Sequence, residues 1–469
     1  QRVADSCVNW ISNKFKEKEN FYIFCGNGNN GGGGFALAKI MYHNGFDITV
    51  FLNENEHFSK DAASNLKKIK PISGIDIFDF NDAATFNFKE NAVIIDAVFG
   101  TGLNRRTNKK EIDLITFLNG VKLPKVSIDM PSGLLADQMI TDQTVIFKAD
   151  ETLSFQFWKK TFLHPETGIY CGKVHILDIS LSEEFIQDEI TSDYVIDDLL
   201  IHRIYKTRSE FSHKGNFGKT TIIAGSFGRV GAAVLAVKAA LKSGSGLTFV
   251  HAPKCGYEIL QTSCPEAIYL YGGENHHDRF QIDHDTVVGI GPSLGINTDT
   301  ESAFMDFLKS CDQPMVLDAD ALNIISRHSQ FLARIPENSI ITPHPKEFER
   351  LFGITENSFD RVELAREKAA ELGIYIVLKD HHTQIITPEK DVFYNITGNS
   401  GMAKGGSGDA LLGIITSLLA QNYSSKDAAI FGVWLHGKAG DLAAEKFSKE
   451  AMLPTDLINE LGMVFKSLA

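Results

Sequence analysis

The run Gly26-Asn-Gly-Asn-Asn-Gly-Gly-Gly-Gly34 is the feature that most restricts how this chain can fold. Ahead of it lies the apolar run Phe21-Tyr-Ile-Phe-Cys25, and after it Phe35-Ala-Leu-Ala-Lys-Ile-Met-Tyr42 is compatible with a helix. The local unit is therefore strand, glycine loop, helix. Glycines there let backbone N–H groups approach an anion, and the helix N-terminus adds positive potential, so a phosphate-bearing ligand is expected. A glycine-rich turn is the competing reading. Six glycines with three asparagines in nine residues are hard to explain by packing alone.

Strand-like segments recur at residues 47–52, 92–99 and 125–130, separated by stretches long enough for crossover helices. This alternation predicts an α/β chain built on a parallel, doubly wound sheet. Polar and acidic residues from Ser182 to Asp198 interrupt the pattern, which resumes at 220–224 and continues at 247–251, 286–290, 315–318, 339–342 and 374–378. Long helices are expected at 232–243 and 409–419. A chain of 469 residues exceeds what one hydrophobic core serves, so two domains are expected, 1–190 and 191–469.

A net charge of −13 opposes electrostatic binding to nucleic acid or anionic membrane and points to small-molecule partners. No run of about 18 apolar residues and no signal sequence is visible, so neither a membrane span nor secretion is expected. The start at Gln1 implies trimming or processing. Six scattered cysteines show neither C-x-x-C pairs nor metal-ligand spacing, which fits a reducing cytoplasm. The acidic charge and Phe-rich helices are compatible with a homo-oligomer.

Two further signals fall at the ends of expected strands, where open α/β sheets bind ligands: Asp96-Ala-Val-Phe-Gly-Thr-Gly102 and Asp129-Met-Pro-Ser-Gly133. An acid there can do acid/base work or simply cap a loop. With the glycine run, these segments resemble the fingerprint of the NAD(P)H-hydrate epimerase family, the YjeF N-terminal domain, over residues from about 20 to 180. The resemblance implies a Rossmann-like three-layer αβα domain. It implies K⁺ coordinated by Asn30, Asp96 and Ser132, oxygen ligands suited to a hard cation. Asn29, Asn30, Gly31, Gly32 and Gly33, together with Gly100, Thr101, Gly102, Leu103, Asn104, Arg105, Arg106 and Asp129, would hold the hydrated nucleotide. Asp129 would act at the C6 hydroxyl centre, and Lys159 matches a lysine of the family pattern. The chain departs from that pattern at Gly33, where the family has aspartate. Most of the helical segment that the family carries ahead of the first strand is also not expected here. Two readings of the first domain stay open: an epimerase, impaired by the change, and a non-catalytic nucleotide-binding module.

In the second half, Gly398-Asn-Ser-Gly-Met-Ala-Lys-Gly-Gly-Ser-Gly-Asp409 precedes an apolar stretch. Gly405, Gly406, Ser407 and Gly408 can present backbone N–H groups as an anion hole. Asp409, in the first helical turn, can accept a hydroxyl proton during phosphoryl transfer; a plain helix cap is the competing role. This arrangement resembles the ribokinase-like superfamily, a class of small-molecule kinases.

Ser212-His-Lys-Gly-Asn-Phe-Gly218, Gly291-Pro-Ser-Leu-Gly295, Leu317-Asp-Ala-Asp-Ala-Leu-Asn323, Thr342-Pro-His-Pro-Lys-Glu347 and Val377-Leu-Lys379 occur in order with it. Together they resemble the ADP-dependent NAD(P)H-hydrate dehydratase family, the YjeF C-terminal domain, over residues 200–469. The resemblance implies a ribokinase-like α/β domain in which Ala232, Gly295, His344 and Asp409 contact the hydrate. Lys379, Asp380, His381, His382, Thr383 and Gly408 would hold the adenine nucleotide, and Asp409 would be the catalytic base. ADP is the expected phosphoryl donor with ATP as the alternative, and Mg²⁺ is expected because nucleotide phosphates need charge neutralisation. Asp380, His381 and His382 stand where the family has Gly-Ala-Gly. His344, between two prolines, can equally be a hydrogen-bonded structural residue. The whole chain thus reads as a repair enzyme for NADHX and NADPHX. The rival is a ribokinase-like small-molecule kinase with a non-catalytic first domain.

Overall fold

The computed structural model describes residues 2–15, 19–53, 57–141, 144–283 and 285–469. The chain divides into two compact units, Gln1–Ile190 and Thr191–Ala469, and each contains one sheet.

The first unit holds β1 (Asn20–Cys25), β2 (Asp47–Leu52), β3 (Ile75–Asp79), β4 (Ala92–Ala97), β5 (Lys125–Ile128), β6 (Glu151–Phe155) and β7 (Lys173–Leu177). They lie in the order β3-β2-β1-β4-β5-β6-β7, and every pairing is parallel. Successive side chains of a strand point to opposite faces. Phe21, Ile23 and Cys25 accordingly enter one apolar cluster with Phe35 and Met41 of the helix Asn29–His43, while Tyr22 and Phe24 enter another with Leu114 and Leu118 of the helix Lys109–Gly120. Both faces are covered, which is the Rossmann-like three-layer arrangement expected. The chain leaves β1 toward β2 on one side and resumes at β4 on the other, so a crevice opens beyond the carboxyl ends of β1 and β4.

Three strands of this sheet, β3, β6 and β7, were not expected, because Ile75-Asp-Ile-Phe-Asp79 and its counterparts are short and carry polar residues. The helix Arg2–Lys14 buries Ala4, Cys7, Val8 and Ile11, one stripe at helical spacing, in the same cluster as Phe21.

The second unit holds β8 (Asp193–Ile196), β9 (Lys219–Ile223), β10 (Leu247–Ala252), β11 (Ile268–Tyr271), β12 (Val287–Ile290), β13 (Met315–Leu317), β14 (Ile340–Ile341), β15 (Tyr375–Leu378), β16 (Gln384–Ile386) and β17 (Val392–Asn395). Their order is β11-β10-β9-β12-β13-β14-β15-β16-β17-β8. Pairing is parallel from β11 to β15, and β16 runs antiparallel to both of its neighbours. β8 falls inside the polar interval that had seemed only to interrupt the strand pattern. Its pairing with β17 is supported by the Arg366–Asp193 ion pair at 2.7 Å and by Tyr194 stacked on Phe393, contacts that no local pattern reveals. The helix Ser407–Ala420 buries nine residues in a row, Ala410 to Leu418, and then Ala420, as a helix packed on every side must.

Four histidines of this unit are held in poorly solvated surroundings. His251 and His277 are fully buried, their rings stacked at 5.3 Å, and His277 Nε2 donates to the Gly225 carbonyl at 3.0 Å. Burial pushes His251, His382 and His436 down to about 4 and His277 to about 3. Unfolding returns each to its ordinary value near 6.5, so below neutrality the unfolded chain binds protons that the folded one refuses. Asp409, lifted by burial to about 6, works in the opposite sense but is a single group. We therefore expect the second unit to lose several kcal/mol of stability between about pH 7 and pH 5. Denaturant midpoints read from Trp434 fluorescence in a Trp10→Phe, Trp158→Phe background check this. A midpoint that holds or rises at pH 5 would contradict it.

Candidate functional site

In the first unit the glycine run separates into two sets. A Cβ at Gly26 would stand 2.0 Å from the Val98 carbonyl oxygen, one at Gly31 1.7 Å from the Gly26 carbonyl oxygen, and one at Gly34 2.6 Å from Cys25 Sγ. These three let β1, β4 and the following helix approach closely. At Gly28 and Gly33 nothing lies within 4 Å of the Cβ position. The helix Asn29–His43 starts inside the run, with Gly28 as its N-cap, no side-chain cap and no acidic residue in its first turn. Its first N–H groups are thus left for an external acceptor.

Asn30 Nδ2 donates to the carbonyls of Phe99 at 2.7 Å and Ile128 at 3.0 Å. Asp96, 1% exposed at the end of β4, accepts from Ser132 N at 2.8 Å, Ser132 Oγ at 2.5 Å, Ser127 Oγ at 3.1 Å and Val98 N at 3.2 Å. Burial lifts its carboxyl to about 6 despite these donors. Ser132 Oγ also accepts from Phe99 N at 2.9 Å, so Asn30 and Ser132 both hold Phe99, and Ser132 in turn is bonded to Asp96.

Asp129, just beyond β5, has φ +69, a conformation that costs a non-glycine residue roughly 1 kcal/mol or more. Its Oδ2 accepts from Thr101 N at 2.8 Å, and Lys159 Nζ lies 3.8 Å from Oδ1. The lysine is held by Ser154 Oγ at 2.8 Å and the carbonyls of Phe155 and Phe157, both at 3.0 Å, and burial lowers its pKa. A Cβ at Gly100 would stand 2.4 Å from Asp129 Oδ2, so this glycine admits the carboxylate.

A cavity of about 1030 Å³ joins these parts. Asn29, Asn30, Gly32, Gly33, Gly100, Thr101, Gly102, Leu103, Asn104, Arg105 and Asp129 line it; Gly31, Asp96, Ser132, Lys159 and Arg106 do not. Arg105 is spoken for inside the protein, pairing with both oxygens of Glu111 at 2.6 and 3.0 Å and lying over the Phe99 ring. Asn53, Asn65 and Lys68 line the same cavity without having been anticipated, since no motif marks them.

In the second unit the site lies beyond the carboxyl ends of β9 and β12 to β15. The N-cap Gly406 has φ +101, which aims the first turn of the helix Ser407–Ala420, carrying Asp409, at this edge. Lys379 Nζ, after β15, pairs with Asp318 Oδ1 at 2.8 Å and lies 3.9 Å from Glu347 Oε2. A Cβ at Gly408 would fall 3.4 Å from Asp318 Oδ2 and 3.5 Å from Lys379 Nζ, so the pair sits against the helix N-terminus. Asp409 is lifted to about 6 by burial and then by Asp318, with Lys379 pulling the other way. Its ionised form is thus poised near physiological pH, as a general base requires.

His344 caps the helix Pro345–Phe352: its Nδ1 accepts from Lys346 N at 3.1 Å and Glu347 N at 3.3 Å. Gly295, with φ +89, donates its N–H to Asp320 Oδ2 at 2.9 Å, and Ala232 is the third residue of the helix Val230–Lys242. Asp380 lies 3.7 Å from Arg361 and accepts from His381 N at 2.7 Å, while His382 Nδ1 lies 3.1 Å from the Asn395 carbonyl; Thr383 accepts from Asn395 N at 2.9 Å. His381 and His382 thus sit in the turn between β15 and β16. Glu347 and His436, the latter buried in the helix Ser425–Phe447, were missed; each touches the site through Lys379 or Ser407, a relation visible only in three dimensions.

Comparison with known proteins matches these two units to two families. Residues 220–462 match the NAD(P)H-hydrate dehydratase family and residues 1–161 the family of YjeF-related protein N-termini. A bifunctional NAD(P)H-hydrate repair enzyme of Coxiella burnetii is 32% identical over 466 residues, covering 99% of this chain and 93% of the relative. The chain belongs to the bifunctional NAD(P)H-hydrate repair enzymes. Among solved structures, the ADP/ATP-dependent NAD(P)H-hydrate dehydratase of Bacillus subtilis, co-crystallised with ATP/Mg²⁺, is 31% identical with a TM-score of 0.53, over 59% of this chain and 99% of that one. A ribokinase-like superfamily protein of Enterococcus faecalis is 28% identical with a TM-score of 0.52, over 60% of this chain and 98% of that one. The second unit of this repair enzyme is therefore ribokinase-like.

The two glycine sets differ in what they tolerate. Gly33→Asp should shift stability by no more than about 0.5 kcal/mol, while Gly31→Ala should cost upwards of about 3 kcal/mol. Thermal denaturation of both variants decides this, and equal losses would refute the division.

Proposed function

We propose that the first unit interconverts the R and S hydrates of NADH and NADPH, and that the second dehydrates the S hydrate at the expense of ADP. The observation that carries this reading is Asp409, raised to about 6 at the N-terminus of a buried helix beside the Asp318–Lys379 pair. Asp409 takes the proton of the C6 hydroxyl, whose oxygen attacks the terminal phosphorus of ADP and releases AMP. The C6–O bond then breaks, phosphate leaves with the electron pair, and loss of a C5 proton restores the dihydronicotinamide. Hydroxide is a poor leaving group from that carbon and phosphate a good one.

The N–H groups of Gly405, Gly406, Ser407 and Gly408 would receive the transferring phosphate, and Lys379–Thr383 would hold the adenine nucleotide. Ala232, Gly295 and His344 would position the hydrate. ATP is an alternative donor, in line with the B. subtilis relative. Among the described residues no group of three or more His, Cys, Asp or Glu could hold a metal, so Mg²⁺ would ride on the nucleotide phosphates, whose charge it neutralises.

In the first unit a monovalent cation fits Asn30, Asp96 and Ser132. They supply oxygen atoms, and the buried Asp96 carboxylate is met by neutral donors. Bound there, K⁺ would supply the balancing charge. Asp129, with Lys159 at its side, is the group placed to move protons at the hydrate carbon, and Asn29–Gly33 and Gly100–Arg106 would cradle the nucleotide. All six cysteines are free, which supports a reducing, cytoplasmic setting.

Asp409→Asn should lower the rate of NADPH return from the S hydrate on the order of 10²–10⁴-fold. In the wild type, kcat/KM for that hydrate should climb with pH through about 6, because the base acts deprotonated. A flat profile between pH 5 and 7, or an unimpaired variant, would refute the base assignment. With an R/S mixture, recovery of absorbance beyond the S fraction shows an active first unit. Recovery that stalls there, and is extended by Gly33→Asp, shows an epimerase silenced by the missing carboxylate.

A further inference from the structure

We propose that the Asp318 carboxylate competes with the nucleotide's terminal phosphate for Lys379 and for the start of the helix Ser407–Ala420, so that it holds the lysine ready yet limits how tightly the nucleotide binds. This rests on the reading of that helix start as the phosphate site. Helix N-termini attract carboxylates and phosphates through the same N–H groups and the same positive potential, so an internal carboxylate at such a place is a rival to an incoming phosphate.

Asp318 follows β13 and is the N-cap of the helix Ala319–Arg327. An aspartate in that position ordinarily accepts from the N–H groups of its own helix; here its side chain makes no capping bond. The carboxylate turns to a different helix instead. Its Oδ1 accepts from Lys379 Nζ at 2.8 Å, and a Cβ at Gly408 would stand 3.4 Å from its Oδ2. The next residue, Ala319, has φ +48, in the left-handed region that a non-glycine residue enters only under constraint.

The Asp318 side chain is 3% exposed, and a carboxylate so far from water needs a partner of opposite charge. Lys379 is that partner. The other acid near the ammonium, Glu347, lies 3.9 Å away, and its Oε2 already accepts from His344 N at 2.9 Å in the cap of the helix Pro345–Phe352. A forgone cap, a left-handed neighbour and a buried charge thus all serve to hold one anion against the N-terminus of another helix.

A phosphate that reaches Gly405–Gly408 meets this anion beside the cation it needs. Phosphate brings more charge and more acceptor oxygens than a carboxylate, so it draws Lys379 away, but against the repulsion of Asp318. Asp318 is therefore a positioning residue with a sign of its own: it sets the lysine in place before binding, and it takes the lysine back when AMP and phosphate depart.

Calorimetry of the full chain with ADP, with and without Mg²⁺, tests this on wild type, Asp318→Asn, Lys379→Met and the double variant. Binding that weakens in Lys379→Met belongs to this site. Asp318→Asn should tighten that binding on the order of tenfold whether or not Mg²⁺ is present, and in the double variant the loss of Asp318 should restore most of what Lys379→Met forfeits. The second comparison decides the matter if Asp318→Asn, left with a poorly solvated ammonium, fails to fold. A residue that merely supported Lys379 would give the reverse, weaker binding in Asp318→Asn and no recovery in the double variant, and either result overturns the competition. Weakening confined to Mg²⁺-containing solutions overturns it too, and makes Asp318 a support for the nucleotide's metal. Equal ADP binding by wild type and Lys379→Met overturns the reading of the phosphate site itself.

Discussion

A parallel strand covered on both faces can offer polar chemistry only at its ends. In the first unit, Phe21, Ile23 and Cys25 fill one face of β1 and Tyr22 and Phe24 the other, so nothing along the strand is free to meet a ligand. The second sheet obeys the same constraint, with Ile222 and Ala224 in one cluster and the helix Ser407–Ala420 packed against it. Both sites therefore sit beyond carboxyl ends, where the order of strands reverses direction. The helix Asn29–His43, between β1 and β2, supplies its N-terminus to the first crevice, and the helix Ser407–Ala420, which follows the last strand, supplies its own to the second.

Each unit also lifts one carboxyl to about 6, and by different means. Asp96 accepts hydrogen bonds from four neutral donors, a setting that anchors the loops around it. Asp409 stands with Asp318 raising it and Lys379 lowering it, so its proton affinity responds to whatever charge enters the site. Donors fixed around a carboxylate make it a fixed point; neighbouring charges make it adjustable, and proton transfer needs the second kind. In the first unit Asp129 is the residue we propose for that part; its backbone is at φ +69, Lys159 lies 3.8 Å from its Oδ1, and it lines the cavity.

The strands carrying continuous apolar runs and the glycine-rich turns were legible because both signals are local. β1, β2, β4, β9 and β10 were expected close to where they lie, as was the helix bearing Asp409. β8 was hidden in a polar interval because its stability comes from Arg366 and Phe393, far along the chain. Motifs likewise marked Asp129 and Asp409 and their neighbours Lys159, Asp318 and Lys379, but not how these groups pair. That Arg105 is committed to Glu111 and that Glu347 reaches toward Lys379 depend on particular side-chain pairings, the second between separate segments. Local periodicity carries no record of such pairings.

The same distinction explains how this chain can depart from its family's patterns at two loops and keep the fold. Gly33 lies at a helix start and residues 380–382 in the turn between β15 and β16, where on the proposed reading backbone groups do the holding. Gly33 faces open space, so gaining or losing a carboxylate there disturbs no packing, whereas Gly26 and Gly31 touch other backbone directly. Binding built from main-chain donors survives a change of side chain because the donors are fixed by helix and strand geometry. Proton transfer has no such reserve, since it depends on a few carboxylates whose pKa is set by their immediate neighbours. On the proposed reading, the first unit can thus keep its nucleotide while its rate depends on what stands at position 33.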